Sequence, residues 1–504
     1  MKWLKLVIFL SLPILFLSSW YVLNGDLIFH TDMGRDFLLL DELYHKKLVL
    51  IGPRADWTGL FHGPLWLYFN LPAYLIGHGN PIVVGWYWIF LLIIFAAIYY
   101  FIVKKMFDKN TSILYIPLFL SSMIAYTNNF YNPIGALFLS PLLYYLTFQY
   151  SKTKKLIFML LDLLIVGLIF QFQIAVGGPL LILLTVFFIF QIIKEKKYFH
   201  LLGLFTIFIP LSTFILFDIR HNFMQFNGLI NHLTGKEKFY SIDFLGKLLN
   251  RIDTMTVSGL GFFNGQYWVF NIIAGYILVL TIYYVFSNKK SEFWTQYGLF
   301  LYLYLGFYFL SMIHNGLVLM HYFLPLIPLP ILIFVSSYKY LNRKFFFASY
   351  FFIIIFNLFI GIKMVQSSNQ YIGKDRTSWK FLLSVAKTVY ENSNENNIGV
   401  YLFAPDMYGY SQKYAMLYGQ SLFPEKKMSF SKKRKETFLV YETTPVNRPD
   451  LNGSGWKTLL VKIDTPPIKT FKFSNGYRIE KYVLNEEQLK IPSDSLLNDW
   501  VSQR

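Results

Sequence analysis

The first apolar run of this chain leads into the polar stretch Phe29-His-Thr-Asp-Met-Gly-Arg-Asp-Phe37, and Gly59-Leu-Phe-His-Gly-Pro-Leu-Trp-Leu-Tyr68 follows in the same loop. Asp32, Arg35, Asp36 and His62 therefore lie near one another along a chain that is mostly apolar. Carboxylates, imidazoles and cations of this kind can move protons and stabilise charge. Their position beside an apolar segment predicts polar chemistry at a membrane surface.

The composition is that of a membrane protein. Of the 504 residues, 55% are hydrophobic and 20% aromatic, and 15% are charged, against about 25% charged in a soluble domain. About eleven apolar runs are long enough to cross about 30 Å of hydrocarbon. They are Trp3–Leu23, Ile82–Val103, Ser112–Tyr126, Pro133–Tyr150, Leu156–Ile174, Val176–Ile193, Leu201–Phe217, Trp268–Phe286, Phe293–Ile313, Leu317–Val335 and Phe345–Met364. Between the fifth and sixth, Gly177-Gly178-Pro179 predicts a broken or re-entrant helix.

The net charge of +18 would suit a nucleic-acid partner, but the placement of the lysines argues against one. Lysine clusters follow every second apolar run, and the positive-inside rule puts such clusters in the cytoplasm. They are Lys104/Lys105/Lys109, Lys152/Lys154/Lys155, Lys194/Lys196/Lys197, Lys289/Lys290 and Arg343/Lys344. The sequence thus predicts a cytoplasmic (inner) membrane protein with a cytoplasmic N-terminus and an external tail. The first run is too long and too aromatic for a signal peptide, so we interpret it as a retained anchor.

Two domains are predicted. Residues 1–365 form a transmembrane module with external loops at 24–80 and 218–267, and residues 366–504 form a small external α/β domain. Arg35–Lys47 and Pro64–Ile76 have the pattern of helices lying on the bilayer. In the tail, an amphipathic helix is expected at Trp379–Tyr390 and strands at Ile398–Phe403, Thr437–Tyr441, Thr458–Ile463 and Tyr477–Val483. The chain has no cysteine, so disulfides and cysteine-based metal sites are excluded.

Asp32 is the candidate for a general base that removes a proton from an acceptor hydroxyl. The alternative is a capping carboxylate at the start of a helix, where free N–H groups favour a negative charge. Arg35 and Asp36 could simply form a surface ion pair, which contributes roughly 0–1 kcal/mol to stability. Two nearby carboxylates could also hold a hard cation such as Mg²⁺ or Mn²⁺.

The other candidate residues lie elsewhere on the predicted external side. His62 begins the second interfacial segment, and Asp218 and Arg220 close the seventh apolar run in Phe217-Asp-Ile-Arg-His-Asn-Phe223. His321 stands near the external end of the tenth run, where an ionisable group is a functional candidate. Each has an ordinary alternative: a hydrogen-bonding histidine for His62 and His321, and an interfacial cap with a snorkelling arginine for Asp218 and Arg220. The basic run 432–435 is expected to be a solvated loop rather than a lipid-binding site.

The order of these motifs resembles a known group of membrane enzymes. Asp32-Met-Gly-Arg35-Asp36, Phe61-His-Gly-Pro64, Tyr131-Asn-Pro133, Phe217-Asp-Ile-Arg-His and His321-Tyr-Phe-Leu-Pro325 follow one another over residues 1–365. This series is similar to that of the GT-C membrane glycosyltransferases, and most similar to the bacterial glycosyltransferase 39 and RgtA-B-C-D-like group. That group is related to the protein O-mannosyltransferases and to the lipid A aminoarabinose transferase.

The resemblance implies a GT-C module with two interfacial helices in its first external loop. It implies an inverting transfer of a sugar from a polyprenyl-phosphate donor to a hydroxyl on a lipid, glycan or protein acceptor of the cell envelope. Asp32 would be the catalytic base, and Arg35 would position the loop or the phosphate. Asp36, His62, Asp218, Arg220 and His321 are the further candidate substrate-binding residues. This sequence departs from the family's pattern at two positions. Met33 stands where relatives often have Glu, and Gln173 stands where relatives often have His.

Two other functional classes fit parts of the sequence. A transporter or flippase of lipid-linked glycans would explain the apolar helices and their polar ends, although such proteins often show repeated halves and none is evident here. A non-catalytic envelope scaffold would leave the acidic loop with capping roles alone. No phosphate-binding GxxxxGK[ST] motif and no GxGxxG motif occurs in the sequence, which argues against coupling to a soluble nucleotide.

Overall fold

The structure is a computed structural model. It describes residues 2–46, 48–55, 57–234, 242–256, 260–263, 268–287, 294–314, 316–406, 408–495 and 497. The chain divides into two compact units. The membrane unit comprises Met1–Ser19, Leu48–Phe69 and Trp88–Val365, and the tail unit comprises Trp20–Lys47, Asn70–Tyr87 and Gln366–Arg504. Two segments of the first loop therefore group with the tail. The domain limits 1–365 and 366–504 remain a prediction.

Helices account for most of the chain. In chain order they are α1 (Lys2–Ser18), α2 (Trp20–Leu23), α3 (Thr31–Lys46), α4 (Leu65–Ile76), α5 (Pro81–Met106), α6 (Lys109–Met123), α7 (Asn132–Thr153), α8 (Leu156–Phe172), α9 (Ile174–Lys194), α10 (Phe208–Arg220), α11 (Met224–Leu233), α12 (Phe244–Thr254), α13 (Trp268–Ser287), α14 (Trp294–Ser311), α15 (Pro328–Ser336), α16 (Arg343–Tyr371), α17 (Trp379–Glu391), α18 (Tyr410–Leu422) and α19 (Glu486–Lys490). Short 3₁₀ segments span Ile124–Tyr126, Tyr198–Ile207, Met320–Leu326 and Ser337–Lys339.

Every predicted apolar run overlaps helical structure, and the chain is an integral membrane protein. Phe293, which begins the ninth run, lies outside the described residues. Within the described ranges, six helical segments are long and apolar enough to cross a bilayer. They are Pro81–Met106, Ile174–Lys194, Tyr198–Arg220, Val269–Ser287, Met320–Lys339 and Arg343–Tyr371. The predicted count of about eleven spans is therefore not confirmed. The two predicted interfacial segments are helical, as α3 and α4. Lys289 and Lys290 lie outside the described residues.

The break between the fifth and sixth runs lies earlier than predicted. Gln173 is extended, with φ −151° and ψ 107°, and separates α8 from α9. Gly177 and Pro179 lie inside α9. The break is stabilised by Asn132, whose Nδ2 donates to the Phe172 carbonyl at 2.7 Å and to Gln173 Oε1 at 3.0 Å. A carbonyl at the end of α8 thus has a partner outside the helix.

The tail unit contains a five-stranded sheet in the order β2-β1-β3-β5-β4. The strands are β1 (Asn397–Phe403), β2 (Lys427–Ser429), β3 (Glu436–Tyr441), β4 (Lys469–Lys472) and β5 (Arg478–Val483). β1 is parallel to β2 and β3, whereas β5 pairs antiparallel with β3 and β4. The predicted helix and three of the predicted strands are present as α17, β1, β3 and β5. The short strands β2 and β4 and the helix α18 were not predicted.

One predicted strand is wrong. Thr458–Ile463 overlaps a single π-helical turn at Trp456–Val461. A π-helix is defined by hydrogen bonds between residues five apart, and the burial along this turn is uneven. Trp456 and Val461 are 7% and 0% exposed, while Leu459 is 71% exposed. The two buried residues pack into the core of the sheet with Tyr401, Leu439 and Tyr441, so tertiary packing overrides the local strand propensity.

Candidate active site

The first turn of α3 carries the predicted base and its cation. Arg35 Nη1 lies 3.0 Å from Asp32 Oδ1, and Arg35 Nη2 lies 3.1 Å from Asp36 Oδ1. The side chains of Asp32, Arg35 and Asp36 are 53%, 15% and 5% exposed. One guanidinium thus joins a buried carboxylate to a half-exposed one. Asp32 is the member of the three that remains open to a hydroxyl from solvent.

The two carboxylates of this cluster keep Arg35 charged. Burial lowers the pKa of Arg35, but the neighbouring Asp36 and Asp32 carboxylates outweigh it, and the net shift is upward. The guanidinium therefore stays protonated at every physiological pH. A fixed positive charge beside Asp32 holds that carboxylate in one orientation while leaving its exposed edge accessible. A carboxylate with a fixed orientation and an exposed edge can accept a proton from a hydroxyl that reaches it.

Helix α3 is packed tightly against α18 within the tail unit. A Cβ at Gly34 would come within 2.6 Å of the Ser411 Cα, so only glycine allows the two backbones this close. Thr31 Oγ1 donates to Asp406 Oδ2 at 2.6 Å. The other oxygen of Asp406 accepts from the backbone N–H groups of Tyr408 and Gly409, just before α18 begins. The orientation of the Asp32 turn is therefore fixed by α18 and by the turn that precedes it.

Asp26, which the sequence analysis did not single out, anchors the chain just before α3. It is fully buried and accepts four hydrogen bonds. The donors are the backbone N–H groups of Leu27, Gly373 and Lys380 and the hydroxyl of Ser378. Burial raises the pKa of Asp26 despite these bonds. Its only sequence signal was an isolated acid after an apolar run, which a solvated turn would also produce.

His62 lies in the membrane unit, beside the break between α8 and α9. It is 8% exposed, and its Nδ1 faces the backbone N–H of Ile174 at 3.5 Å. The next residue, Gly63, donates its N–H to the Gln171 carbonyl at 2.8 Å and has no space for a side chain against Gln171. The side chain of Gln171 donates to Pro210 O at 2.6 Å, which joins α8 to α10. His62 therefore stands where three segments meet.

Asp218 caps the helix that follows it. Its two carboxylate oxygens accept from the backbone N–H groups of Gln225 and Phe226 at 2.8 and 3.0 Å. The same segment meets the His62 loop, because Phe217 packs edge-on against Phe61 and Gln225 Oε1 accepts from the Phe61 N–H at 3.1 Å. The contacts of Asp218 are therefore those of a helix cap, as the alternative interpretation expects. The segment that carries Asp218 nevertheless lies next to the loop that carries His62.

Arg220 and His321 differ in their surroundings. Arg220 is exposed, and among the described residues it forms no ion pair. His321 lies in the 3₁₀ segment at Met320–Leu326 and stands edge-on to Tyr131, with ring centroids 5.6 Å apart. Tyr131 precedes Asn132, which bonds the break at Gln173. Within the membrane unit, His62, Asp218 and His321 therefore lie on segments that gather around one end of α7–α10.

Two further groups of the membrane unit were missed by the sequence analysis. Trp57 stacks on His232 with ring centroids 3.5 Å apart, and His314 lies 3.4 Å from His232 between ring nitrogens. Arg251 is 3% exposed and donates to the carbonyls of Ser311, His314 and Gly316. These residues lie far apart in sequence, so no spacing could reveal them. In the described part of the chain, no group of three potential metal ligands occurs.

Comparisons with known proteins bear on the fold. No sequence-family model matches the chain, and no curated protein sequence does either. The crystal structure of ArnT from Cupriavidus metallidurans bound to undecaprenyl phosphate is similar over 95% of this chain and 98% of that chain, with a TM-score of 0.59 and 9% identity.

Two further solved structures are similar. The apo state of ArnT covers the same shares, with a TM-score of 0.53 and 10% identity. The Archaeoglobus fulgidus oligosaccharyltransferase in complex with zinc and sulfate is similar over 86% of this chain and 67% of that chain, with a TM-score of 0.43 and 10% identity. The chain therefore has the GT-C fold of ArnT, as its sequence predicts.

Proposed function

We propose that this protein transfers a sugar from a polyprenyl-phosphate donor to a hydroxyl of an envelope lipid, glycan or protein on the external face of the membrane. The observation that carries the proposal is the half-exposed Asp32 carboxylate, held by Arg35 in the first turn of α3. A fold shared with ArnT supports it, because ArnT was crystallised with undecaprenyl phosphate. Membrane lipids would surround the apolar helices.

In the proposed reaction, Asp32 accepts the proton of the acceptor hydroxyl. The hydroxyl oxygen forms a bond to the anomeric carbon as the bond from that carbon to the phosphate oxygen breaks. Attack from the opposite face inverts the anomeric centre, and polyprenyl phosphate leaves with an additional negative charge. A cation stabilises such a leaving group. Arg220, exposed and without an ion pair among the described residues, is the proposed cation of the membrane unit.

The remaining residues have supporting roles in this proposal. Arg35 orients Asp32 and is already engaged by two carboxylates, so it positions the base. Asp36 holds Arg35 from the buried side. His62 and His321 would contact the substrates, and Asp218 would orient the segment that carries Arg220. A divalent cation, Mg²⁺ or Mn²⁺, could assist the leaving phosphate.

The test is transfer by the purified protein in detergent, with radiolabelled polyprenyl-phosphate sugars offered one at a time. Asp32→Asn is expected to lower the transfer rate by about 10²–10⁴, the usual contribution of a general base. Asp41→Asn on the same helix is the matched control, because Asp41 accepts from Tyr74 Oη at 3.1 Å and has no proposed catalytic part. Movement of lipid-linked sugar across vesicles without a new glycosidic bond would instead support the flippase alternative.

A further inference from the structure

A trough lies between α9 and α14 of the membrane unit. Its volume is about 510 Å³, within the range of about 300–1,000 Å³ that is usual for ligand sites. On the α9 side its wall is formed by Phe187, Phe190 and Gln191, of which Phe190 is 59% exposed. With Lys194, these residues follow the i, i+3, i+4, i+7 spacing of one helix face. The apolar wall therefore continues along α9 to a lysine.

The trough is closed at one end and open at the other. Tyr302 of α14 lines the closed end and donates its hydroxyl to the Leu183 carbonyl of α9 at 2.8 Å. A Cβ at Gly306 would come within 2.6 Å of the Leu183 side chain, so the two helices touch there. At Gly298, which also lines the trough, a Cβ would meet nothing within 4 Å. The helices thus separate toward the start of α14.

The trough is shallow compared with a bilayer. Its α14 wall extends from Thr295 to Tyr302, which corresponds to about 10 Å along the helix. The hydrocarbon core of a membrane is about 30 Å thick, so the trough reaches into one leaflet only. A ligand that enters from the membrane surface and extends an apolar chain toward the bilayer centre would fit this shape.

Lysines surround the open end of the trough. Lys154 donates a hydrogen bond to Oε1 of Gln191, and its Nζ lies 3.7 Å from Glu195 Oε1. Lys197 Nζ donates to the Lys154 carbonyl at 3.0 Å. Lys194 follows Gln191 by one turn on the same face of α9. Three ammonium groups are therefore carried by residues next to a side chain that lines the trough.

This end of the membrane unit carries an excess of positive charge. Residues 152–155 and 194–197 contain six lysines and one glutamate. Lys194 and Lys197 are exposed and form no ion pair with any residue that the structure describes. Burial lowers the pKa of Lys154, Glu195 raises it, and the charges of Lys194 and Lys197 lower it further. A bound anion would relieve this mutual repulsion.

The combination favours a lipid with an anionic head group. The apolar walls of the trough suit an acyl chain, and basic pockets between transmembrane helices attract lipid phosphates. A soluble phosphate would leave the apolar walls uncovered. A zwitterionic head group would bring its own positive charge to the lysines, and its phosphate would therefore gain less from them.

We propose that the trough between α9 and α14 binds an acyl chain of an anionic phospholipid, whose head-group phosphate is held by Lys154, Lys194 and Lys197. The lysine distribution predicts that this end faces the cytoplasm, so the lipid would come from the cytoplasmic leaflet. The proposal makes no use of Asp32 or of sugar transfer. Either proposal can therefore fail without the other.

Native mass spectrometry of the full-length protein in detergent tests the site, with dioleoyl phosphatidylglycerol and dioleoyl phosphatidylcholine as probes. The first phosphatidylglycerol is expected to bind at least about tenfold more tightly than the first phosphatidylcholine. Lys194→Gln and Lys197→Gln should each weaken phosphatidylglycerol binding about fivefold, which corresponds to about 1 kcal/mol per lysine. Lys105→Gln is the matched control, because Lys105 is an exposed lysine in the last turn of α5.

A second variant tests the trough itself. Gly298→Leu places a side chain where a Cβ meets nothing, so it should fill the trough without preventing folding. It should weaken phosphatidylglycerol binding at least about tenfold, the loss of about two buried methylene groups. Gly275→Leu is the control, since a Cβ at Gly275 also has open space around it. Thermal unfolding checks that both variants are folded, and the lysine variants decide if Gly298→Leu is not.

Several results would overturn the proposal. One is equal affinity for the two phospholipids, and another is an equal loss of phosphatidylglycerol binding in Lys105→Gln and Lys194→Gln. Unchanged phosphatidylglycerol binding in a folded Gly298→Leu would exclude the trough. Undecaprenyl phosphate serves as a third probe. If Gly298→Leu weakened its binding and left that of phosphatidylglycerol unchanged, the trough would belong to a polyprenyl chain instead.

Discussion

The guanidinium of Arg35 lies 3.0 Å from the carboxylate of Asp32, three residues before it in α3. The same guanidinium lies 3.1 Å from the buried carboxylate of Asp36. The two ion pairs differ in exposure, and therefore in how much their removal lowers the free energy of unfolding. The buried pair holds the turn together, whereas the half-exposed pair orients a carboxylate that solvent can reach.

Arg35→Gln should destabilise the protein far more than Asp32→Asn. Without Arg35, the 5% exposed Asp36 side chain loses its cation, and such a loss costs about 3–5 kcal/mol. Asp32→Asn removes a partner that is 53% exposed, so the expected loss is about 0–1 kcal/mol. Chemical denaturation in detergent measures both free energies of unfolding. Equal losses in the two variants would contradict the assignment of the buried pair as the structural one.

Gly34→Ala should weaken the packing of α3 on α18. The added Cβ would overlap the backbone of Ser411, and backbone atoms cannot move aside as a flexible side chain can. The midpoint of thermal unfolding should fall, and limited proteolysis should cut the first loop faster. Gly275→Ala is the control, since its Cβ would meet nothing within 4 Å and alanine favours the helix by about 1 kcal/mol. A Gly34→Ala protein as stable as this control would refute the close packing.

Asp26→Asn should loosen the attachment of the chain to α17. Asp26 accepts four hydrogen bonds, and an amide nitrogen cannot accept those of Ser378 and Gly373. A buried donor left unsatisfied costs about 1–3 kcal/mol. Hydrogen exchange at the Gly373 and Lys380 amides should accelerate in the variant while the amides of β1 stay protected. Unchanged exchange at both amides would show that Asp26 does not hold this junction.

The free energy of unfolding should depend on pH through Lys413. Its pKa is about 8 in the folded protein and about 10.4 when unfolded, so the unfolded chain binds more protons between these values. Stability therefore rises as pH increases from 8 to about 10, by up to about 3 kcal/mol. Lys413→Met should remove this rise and be more stable than the wild type at pH 7. If the free energy of unfolding of Lys413→Met still rises with pH as in the wild type, another group is responsible for the rise.

Arg220→Gln should weaken the binding of undecaprenyl phosphate to the purified protein. An exposed arginine that binds phosphate contributes through charge-assisted hydrogen bonds worth about 1.5–3 kcal/mol, which corresponds to roughly a ten- to hundredfold change in Kd. Arg220→Lys should retain part of the affinity, and raising the salt concentration should weaken the wild type more than the glutamine variant. Equal Kd values for wild type and Arg220→Gln would exclude this arginine from the phosphate site.

The sequence predicted the helices well, because an apolar run of bilayer length leaves the backbone few other structures. It also located the strands β1, β3 and β5, which contain several β-branched and aromatic residues. It could not predict that α3 packs on α18, since Gly34 and Ser411 are far apart in the chain and only the folded backbone shows their approach. The π-helical turn at Trp456 was missed for a related reason, as its conformation is fixed by the core of the sheet.

The candidate site was predictable only in part. Asp32, Arg35 and Asp36 could be singled out because they are charged residues within one short stretch of a mostly apolar chain. Asp26 was passed over because burial, which distinguishes it from a turn residue, is not visible in its immediate sequence. Lys413 was likewise unremarkable in sequence, since only the folded chain buries its side chain.

The proposed role of Asp32 as the base of a sugar transfer can be measured in a single turnover by Asp32→Asn. With a polyprenyl-phosphate sugar that the wild type accepts, we expect the variant to bind the donor with unchanged Kd and to transfer about 10²–10⁴ times more slowly. Asp41→Asn should transfer at the wild-type rate. Transfer by Asp32→Asn within a few-fold of the wild-type rate would rule out Asp32 as the base.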